Sequence, residues 1–360
     1  MTAPTAALRA PADARQVLRR CRELVRPTLV EAVDGLHPWV GEMAAYSFGW
    51  CEVGGIPAEA SGGKGVRQAL AVLGAEAAGA PGRAGVPAAV AVELVHAFSL
   101  LHDDIMDGDQ VRRRRPTVWK AYGTGPAVLA GDALFALAVE TLAFAPAGPG
   151  AVRQLSAALG DLVRGQADDL TFAARPWTGA ERVRPEEYRA MAEGKTGALL
   201  GCAASLGALL GGAGPATVAA LDRAGRHLGL AFQIVDDVLG IWGDPAVTGK
   251  PVHGDLRERK KTFPVLAALE SGAPEGRRLA GLLEAEVGAT ERDEAPEVAS
   301  ASEPAELADL IEAAGGRAAA SVEVGRHLAA VEEALADVLL EGPAVDELRS
   351  LLRFLARRDL

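Results

Sequence analysis

Apolar residues recur at three- and four-residue spacing along most of this 360-residue chain, and strand-like alternation is scarce. That spacing lines one face of a helix with side chains that pack into a core. Glycine and proline, which end helices, interrupt the pattern at 54–57, 81–87, 123–126, 145–150, 175–185, 211–215, 243–254 and 271–275. The pattern therefore predicts a single all-α domain, a bundle of about ten or more helices.

Two segments fall outside this pattern. Residues 1–14 are rich in alanine, proline and threonine, and we expect a flexible N-terminal tail there. Residues 287–305 are polar, and we expect a surface loop or a loosely ordered connection. No strict repeat and no clear boundary divides residues 15–360, which we interpret as one domain.

Composition and charge narrow the class of protein. Alanine, leucine and glycine dominate while aromatic residues make up 4%, which favours helix over strand. The net charge of −11 argues against a nucleic-acid binder, despite the run of arginines at 112–115. Three widely spaced cysteines lack metal-ligand spacing, which is typical of a reducing cytoplasm. We expect no signal peptide and no transmembrane segment, since the apolar run at 86–101 is short and carries Glu93 and His96.

The segment LHDDIMDGD (101–109) begins an acidic cluster directly after an almost wholly apolar stretch. In a helix, Asp103 and Asp107 lie one above the other on one face, and Asp104 lies one residue round. Aligned carboxylates repel one another unless a cation lies between them, and Mg²⁺ prefers oxygen ligands and is often shared with a substrate phosphate. A solvated acidic face is the alternative, but the preceding apolar stretch favours the wall of a cavity.

A second apolar stretch, LGLAFQIVDDVLGIWGD (228–244), carries Asp236 and Asp237. Gly240 stands four residues after Asp236, so the five-residue DDxxD pattern is incomplete. Asp244 is the weaker candidate ligand, because WGDP is expected to end the helix first. If the two acidic helices face each other, they can hold several Mg²⁺ ions around one anion.

Basic side chains accompany both acidic clusters. Arginine suits phosphate because its planar guanidinium offers a fork of donors. Each of these residues, taken alone, is typical of a solvated surface, but together with two acidic clusters they predict a site for two polyphosphate groups. The candidates are Lys64 and Arg67 in SGGKGVR, Arg112 and Arg113, Lys195 and Thr196 on a predicted helix in EGKTGALL, and Lys250, Lys260 and Lys261 in GKPVHGDLRERKKTFP.

From about residue 15 to the terminal LLRFLARRDL, the chain resembles the trans-isoprenyl diphosphate synthases, or polyprenyl synthetases, which elongate isoprenoids. LLHDDIMDGDQVRRRRPTVW resembles the first aspartate-rich motif of that family. FQIVDDVLGIWGDPAVTGKP resembles the second, in a form associated with bacterial geranylgeranyl diphosphate synthases, and KTGALL and GDLRERKKTFP also match. The resemblance implies an isoprenoid-synthase helical bundle with a central substrate cavity, a homodimer and a Mg²⁺-dependent prenyltransferase.

The resemblance also implies a role for each candidate residue. Magnesium, as three ions per site, would be held by Asp103, Asp107 and Asp236, with support from Asp104 and Asp237. Isopentenyl diphosphate would bind to Lys64, Arg67, His96 and Arg113. The allylic diphosphate would be surrounded by Arg112, Lys195, Thr196, Gln233, Lys250 and Lys260. A catalytic role in stabilising the allylic cation would fall to Lys195, Thr196 and Gln233, and the same cavity would be lined by Gln166 and Asp169.

The chain departs from the family pattern in two places. It reads GGKGVRQ where the family usually has GGKRxRP, so one arginine and a proline near the isopentenyl diphosphate site are missing. Gly240 replaces the last aspartate of the second motif, which leaves the number of metal ligands there open.

The implied reaction joins isopentenyl diphosphate to an allylic diphosphate of C5, C10 or C15 by ionisation, condensation and elimination. Product length is expected to follow from side chains just before the first motif. Phe98 and Ser99 stand five and four residues before Asp103, and one large beside one small side chain resembles the C20 synthases. We therefore predict geranylgeranyl diphosphate as the product.

Two other functions remain open. A class I terpene cyclase shares an aspartate-rich motif and an all-helical fold, but its second motif usually carries an Asn/Ser/Glu metal triad where this chain has DDVLGIWGD. A catalytically weak regulatory subunit of a prenyl synthase typically loses one aspartate cluster, and this chain keeps most of both.

Overall fold

The computed structural model describes residues 13–58, 63, 65–245, 252–290 and 304–356. Helices dominate these ranges, which confirms the predicted all-α class. They are α1 Ala14–Asp34, α2 Pro38–Phe48, α3 Val66–Ala77, α4 Val86–Met106, α5 Val118–Tyr122, α6 Thr124–Ala143, α7 Gly148–Ala174, α8 Pro185–Ala192, α9 Ala198–Leu210, α10 Pro215–Trp242, α11 Gly254–Arg257, α12 Phe263–Glu270, α13 Pro274–Thr290, α14 Pro304–Ala313, α15 Gly316–Ala336 and α16 Gly342–Ala356. Two short strands, β1 Val111–Arg112 and β2 Arg115–Pro116, pair antiparallel.

The chain divides into two compact units. The first unit comprises Met1–Ser156, Leu199–Gly225 and Ala334–Leu355, and it contains the first acidic cluster. The second unit comprises Ala157–Ala198, Arg226–Glu333 and Ala356–Leu360, and it contains the second acidic cluster. The interpretation of residues 15–360 as one domain stays a prediction.

The core of the first unit forms around α3 and α4. Pro87 lies in the first turn of α4, where its missing N–H costs no helical hydrogen bond. Both helices bury almost continuous apolar faces, and Val72, Leu73, Leu94 and Val95 are fully buried. Burial of each such side chain stabilises the fold by about 1.5–3 kcal/mol. The apolar stretch before Asp103 is therefore an interior helix, as its composition predicts.

The core of the second unit contains α8, α10 and α12, whose buried side chains include Met191, Ile234, Val235 and Phe263. Because α10 runs unbroken to Trp242, the aspartates at 236 and 237 lie within its last two turns. Asp244 follows the end of the helix and is exposed, as predicted for WGDP.

The helix boundaries follow the glycine and proline positions, with one correction. α1 begins at Ala14, and the Asp13 side chain caps it by accepting a hydrogen bond from the N–H of Arg15 at 3.0 Å. α13 continues to Thr290, so the expected loop is wrong for 287–290, since the helix-forming sequence LLEAE carries the helix onward. Residues 1–12 of the predicted tail and residues 291–303 lie outside the described residues.

Two helical segments in the described ranges are long and apolar enough to cross a membrane by length and composition alone, namely Gly82–Met106 and Thr124–Ala143. Most of the apolar window of the first is buried inside the fold, as in the core helix of a soluble protein. The expected absence of a transmembrane segment stays a prediction.

Candidate active site

The three aspartates of the first cluster lie at the C-terminal end of α4 in different environments. The N–H of Asp107 donates to the carbonyl of Asp103 at 2.8 Å, so these two carboxylates stack one turn apart, as predicted. Asp103 is partly exposed and Asp107 is exposed. Asp104 is only 3% exposed, and its Oδ1 accepts a hydrogen bond from Nε of Arg112 at 2.6 Å. The cluster therefore has two solvent-facing carboxylates and one internal carboxylate.

Burial sets the electrostatics of Asp104. Removal from water raises the pKa of its carboxyl group above the ordinary value, while the Arg112 guanidinium lowers it in part. The arginine therefore compensates some of the cost of burying the carboxylate. The sequence predicted a supporting role for Asp104, and its contacts fit that role better than direct metal ligation.

The run of four arginines forms a tight hairpin, which the sequence analysis missed. Val111 pairs with Pro116 and Arg112 with Arg115, and the central residues Arg113 and Arg114 have φ values of 52° and 64°. Positive φ at both central positions is the requirement of a type I′ turn, which usually selects asparagine and glycine. The sequence RRRR contains neither asparagine nor glycine and therefore does not indicate such a turn.

The hairpin directs the side chains of Arg112, Arg113 and Arg115 to different contacts. Arg112 returns to Asp104, and Arg113 places its guanidinium next to Gly63, where a Cβ atom would come within 2.8 Å of Nη2. Arg115 donates to the carbonyls of Tyr46 at 3.1 Å and Cys51 at 2.6 Å. Arg115 therefore fastens the hairpin to the end of α2 and the segment that follows it, while Arg112 and Arg113 point to the predicted site residues.

Arg67 and His96 meet in the first unit, as their predicted common role requires. Nη1 of Arg67 lies 3.2 Å from Nε2 of His96. Burial lowers the pKa of His96 well below its ordinary value, and the charges of Arg67 and Arg113 lower it further. A neutral imidazole can accept the hydrogen bond from Arg67 through Nε2. Within the described ranges, the buried Nε of Arg67 has no hydrogen-bond partner, which leaves a donor for an anion.

Glu93 is a site residue that the sequence analysis noted only as a charge in an apolar run. It lies on α4, one turn before His96, and is 9% exposed. The backbone N–H and the side chain of Gln68 both hydrogen-bond to its carboxylate, and the charge of Arg67 acts on it. Burial nevertheless raises the pKa of Glu93. The carboxylate is thus an internal counter-charge to Arg67. Lys64, which is predicted to act beside Arg67, lies outside the described residues.

The second cluster buries Asp237 and leaves Asp236 partly exposed. Asp237 accepts hydrogen bonds from the Tyr188 hydroxyl, from Nε2 of Gln233 at 3.1 Å and from the N–H of Phe263 at 3.0 Å. Burial raises the pKa of Asp237 to about 7, although these donors lower it. Tyr188 gave no signal in the sequence, because a tyrosine between helices usually fills a core.

Lys195 and Thr196 lie on a helical segment, as predicted, but this segment is a π-helical turn, Glu193–Gly197, which the sequence did not indicate. Such turns are often found at functional sites. Nζ of Lys195 lies 2.5 Å from Oδ2 of Asp169, and Oγ1 of Thr196 donates to Oε1 of Gln233 at 2.8 Å. The structure therefore brings together Lys195, Thr196, Gln233 and Asp169, as the resemblance implied.

Four glycines explain why the π turn fits here. A Cβ atom on Gly194 would lie 2.7 Å from the carbonyl oxygen of Asp161, and one on Gly197 would lie 2.9 Å from that of Arg226. Side chains on Gly165 or Gly229 would overlap the backbone of the turn itself. Contacts this short require the absence of a side chain. α7 and α10 thus pack directly against the backbone that carries Lys195 and Thr196.

The remaining predicted residues of the second unit differ in environment. Lys260 lies between α11 and α12, with Nζ 2.7 Å from Oε2 of Glu258. Lys261 is buried, its Nζ lies 4.3 Å from the centre of the Trp177 ring, and burial lowers its pKa to about 8. Gln166 is buried, and its Nε2 has no partner in the described part of the chain. Lys250 lies outside the described residues.

Phe98 and Ser99 lie on α4, as their spacing from Asp103 requires. The Phe98 ring stacks obliquely on Phe135 of α6, with centroids 5.6 Å apart, and meets His102 edge-on at 4.8 Å. Oγ of Ser99 donates to the carbonyl of His96 at 3.0 Å. Phe98 therefore belongs to an aromatic pair that the sequence could not reveal, because Phe135 lies on another helix.

The family model described as polyprenyl synthetase matches residues 58–300. The chain belongs to the polyprenyl synthetase family. Family members use isopentenyl diphosphate and an allylic diphosphate as substrates and Mg²⁺ as metal. This chain is therefore a prenyltransferase of isoprenoid biosynthesis, as the sequence predicted.

Relatives and solved structures match nearly the whole polyprenyl synthetase chain. A (2E,6E)-farnesyl diphosphate synthase of Mycobacterium tuberculosis is 45% identical over 345 residues, covering 95% of this chain and 93% of the relative. A geranylgeranyl diphosphate synthase of the same organism is 41% identical over 353 residues, covering 97% and 95%. The crystal structure of a polyprenyl synthetase from Streptomyces coelicolor matches with a TM-score of 0.87 at 48% identity, covering 95% of this chain and 99% of that one. These likenesses confirm the isoprenoid synthase fold.

In each unit of this polyprenyl synthetase, the solvent-facing carboxylates fit a Mg²⁺ ion whose remaining ligands come from substrate and water. Among the described residues, no group of three or more histidine, cysteine, aspartate or glutamate side chains is arranged to hold a metal by itself. Mg²⁺ keeps several waters and is usually bound through one or two carboxylates together with substrate phosphates. In the first unit, the solvent-facing side chains of Asp103 and Asp107 are carboxylates of this kind, and in the second unit Asp236 is one.

Proposed function

We propose that this polyprenyl synthetase joins isopentenyl diphosphate to an allylic diphosphate of C5, C10 or C15 and releases geranylgeranyl diphosphate. The observation that carries the proposal is the shared arrangement of the two acidic clusters. Each has a solvent-facing carboxylate for metal, a buried carboxylate held by hydrogen bonds, and cationic side chains on neighbouring segments. A homodimer in the cytoplasm, without a transmembrane segment, belongs to the same proposal.

Asp103, Asp107 and Asp236 would hold the Mg²⁺ ions, three per site by resemblance. Bound there, the metal supplies charge stabilisation to the departing diphosphate. Asp104 and Asp237 act as positioning residues, because each is buried and held by hydrogen bonds from neighbouring segments.

The cationic side chains bind the two diphosphates. Arg67, neutral His96 and Arg113 bind isopentenyl diphosphate, and the unpartnered Nε of Arg67 is the donor best placed to gain a bond. Arg112, Lys195 and Lys260 bind the allylic diphosphate. The roles of Lys64 and Lys250 at these two sites stay predictions.

Side chains of the π turn and of α10 stabilise the allylic cation in the proposed reaction. When the C–O bond of the allylic diphosphate breaks, its electron pair leaves with pyrophosphate and C1 becomes cationic. Oγ1 of Thr196 donates to Oε1 of Gln233 at 2.8 Å, and the lone pairs that remain on both oxygens can stabilise that cation. The double bond of isopentenyl diphosphate then attacks C1, and the released pyrophosphate accepts the proton that is lost. Exclusion of water is required, since water would convert the cation to an alcohol.

Chromatography of the products from isopentenyl diphosphate with each of the C5, C10 and C15 primers tests the proposal. The expected result is accumulation of a C20 diphosphate from every primer that is accepted. Accumulation of a C15 product instead would contradict the proposed chain length, but it would still agree with prenyltransferase activity. Hydrocarbon formed from geranylgeranyl diphosphate alone would indicate a terpene cyclase, and absence of pyrophosphate release by the purified protein would indicate a regulatory subunit.

The chain length has its own test in Phe98. If Phe98 and its neighbour Phe135 block the growing chain, Phe98→Ala extends the products beyond C20, and Ser99→Phe shortens them to C15. Phe144→Ala is the matched control, because Phe144 is 86% exposed at the end of α6. Products of unchanged length from Phe98→Ala would show that Phe98 does not limit the chain.

A further inference from the structure

Lys261 is a buried lysine to which the proposed reaction assigns no role. It is 9% exposed, and among the described residues it forms no ion pair with a carboxylate. Its Nζ donates instead to the backbone carbonyl of Ala173 at 3.3 Å and lies 4.3 Å from the centre of the Trp177 ring. All three residues belong to the second unit. Burial of an ammonium group without a carboxylate partner is unfavourable, so the presence of this lysine requires a reason.

The contacts of Lys261 are with a helix end and an aromatic ring. Ala173 is the second-last residue of α7, and the last carbonyls of a helix have no partner within the helix. The C-terminal end of a helix attracts positive charge, as does the face of a tryptophan ring. Lys261 therefore joins its own segment to the end of α7 and to the segment that follows α7.

These contacts do not offset the unfavourable burial of the charge. Burial lowers the pKa of Lys261 to about 8, and the charge of Arg175 lowers it further. Arg175 is paired with Glu187 of α8 at 2.7 Å and 3.1 Å, so that carboxylate is already engaged. Because the ordinary pKa is 10.5, the unfolded chain binds more protons between the two values, and stability rises with pH across that range. At neutral pH the charge therefore lowers stability, and stability alone does not account for the lysine.

Lys261 lies in the short segment that joins α11 to α12 and carries Lys260. At one end of this segment the N–H of Lys260 donates to the carbonyl of Asp255 at 2.9 Å, and at the other the N–H of Phe263 donates to Oδ2 of Asp237 at 3.0 Å. The side chain of Lys260 is 51% exposed, whereas Lys261 is buried, so the two neighbours point in opposite directions. The side chain of Lys261 therefore tethers the segment between these two ends.

We propose that Lys261 is a positioning residue for the allylic diphosphate, because its tether to α7 and Trp177 fixes the backbone that presents Lys260 to that substrate. The inference rests on the proposed function, in which Lys260 binds the allylic diphosphate. Ordering a mobile segment on binding is unfavourable, and a segment that is already fixed avoids this loss. Lys261 thus lowers the stability of the fold and raises the affinity for substrate, a common exchange at functional sites.

The test compares Lys261→Met with Lys261→Arg in the full-length protein. Methionine keeps the apolar stem and a favourable contact with the Trp177 ring but donates no hydrogen bond, whereas arginine keeps a donor and a cation. Lys261→Met should raise KM for the allylic diphosphate about fivefold, the effect of one lost hydrogen bond, and change kcat and KM for isopentenyl diphosphate less than about twofold. Its urea unfolding midpoint should be no lower than that of the wild type. Lys261→Arg should keep KM within about twofold of the wild-type value.

A second readout tests the buried charge itself. From about pH 8 to about pH 10, the free energy of unfolding of the wild type should rise relative to that of Lys261→Met, because only the wild type carries the lysine with a lowered pKa. Lys120→Met is the matched control, since Lys120 is exposed and its Nζ lies 6.0 Å from the centre of the Trp119 ring. The control should change neither KM nor this pH dependence.

Unchanged KM for the allylic diphosphate in Lys261→Met would overturn the inference, as would a folded Lys261→Arg variant that is as impaired as Lys261→Met. A lower unfolding midpoint with equal rises in both KM values would show that Lys261 only packs, and would also overturn it. Failure of the wild type to form any prenyl diphosphate would instead refute the proposed function. Calorimetry of inorganic pyrophosphate with Mg²⁺ would then decide the inference, since Lys261→Met should weaken that binding about fivefold and unchanged binding would overturn it.

Discussion

The two acidic clusters have the same pattern of burial, but different kinds of hydrogen-bond donor hold the buried carboxylate in each. Each buries one aspartate and leaves another partly exposed. In the first cluster the buried Asp104 is held by the guanidinium of Arg112. In the second, the buried Asp237 is held by donors that carry no charge: a tyrosine hydroxyl, a glutamine amide and a backbone N–H.

This difference separates two ways of keeping a carboxylate inside a protein. An arginine balances the charge of Asp104, and in the proposed reaction the same arginine also binds diphosphate, so that pairing is coupled to substrate. In the described part of the chain, the hydrogen-bond donors to Asp237 carry no charge, and burial raises its pKa to about 7. Burial also raises the pKa of Asp104, but there the Arg112 charge opposes the shift.

The largest effect should come from the solvent-facing carboxylates, where the two clusters are alike. Asp103→Asn and Asp236→Asn should each lower kcat by about 10³-fold, because each removes a charge that acts on the transition state. Steady-state kinetics with saturating Mg²⁺ measures this. Asp132→Asn, on an exposed acid of α6, should change kcat by less than about twofold. A loss confined to one of the two variants would show that the clusters are not equivalent.

The next effect tests the charged partner of the first cluster. Arg112→Gln should cost about 2 kcal/mol of unfolding free energy, because it leaves the Asp104 carboxylate buried without its counter-charge. It should also raise KM for the allylic substrate. Urea unfolding and kinetics measure the two effects, and Arg114→Gln, an exposed neighbour in the same hairpin, is the control. Because Asp104 is buried, dissolved salt screens this pair only weakly, and the cost should persist at high salt.

A smaller effect is expected from the neutral partner of the second cluster. Tyr188→Phe removes one donor from buried Asp237 and should cost about 1–2 kcal/mol, with no dependence on salt. Tyr46→Phe is the control, since that hydroxyl donates at 2.8 Å to the carbonyl of Pro116, an uncharged acceptor. If Tyr188→Phe cost as much unfolding free energy as Arg112→Gln, the distinction between a charged and a neutral partner would be wrong.

The smallest effect concerns the hairpin, for which the second cluster has no counterpart in the described residues. Arg114→Gly should stabilise the protein by about 1 kcal/mol, because glycine adopts positive φ without the penalty that arginine incurs. Thermal unfolding measures the gain. Arg114→Ala removes the same side chain but keeps the strain, so equal stability of the glycine and alanine variants would exclude backbone strain as the cause.

The sequence predicted the helices, the stacking of Asp103 on Asp107 and the end of α10 before Asp244, because each depends on local periodicity or on proline and glycine. It did not predict the π turn at Lys195, since the two glycines of EGKTG weaken a helix without specifying which kind of helical turn forms. The hairpin was missed because arginine has no preference for positive φ. Glu93 and Tyr188 were missed because their roles arise from contacts between segments that are separate in the chain.

The four glycines around the π turn have a consequence for engineering. Gly165, Gly194, Gly197 and Gly229 bring three backbones together at distances that exclude even a methyl group. A mutational library at these positions should therefore yield almost wholly inactive or unfolded clones, whatever substrate is used for selection. Directed evolution would instead find tolerant positions where side chains, not backbones, make the contact, as Phe98 of α4 and Phe135 of α6 do.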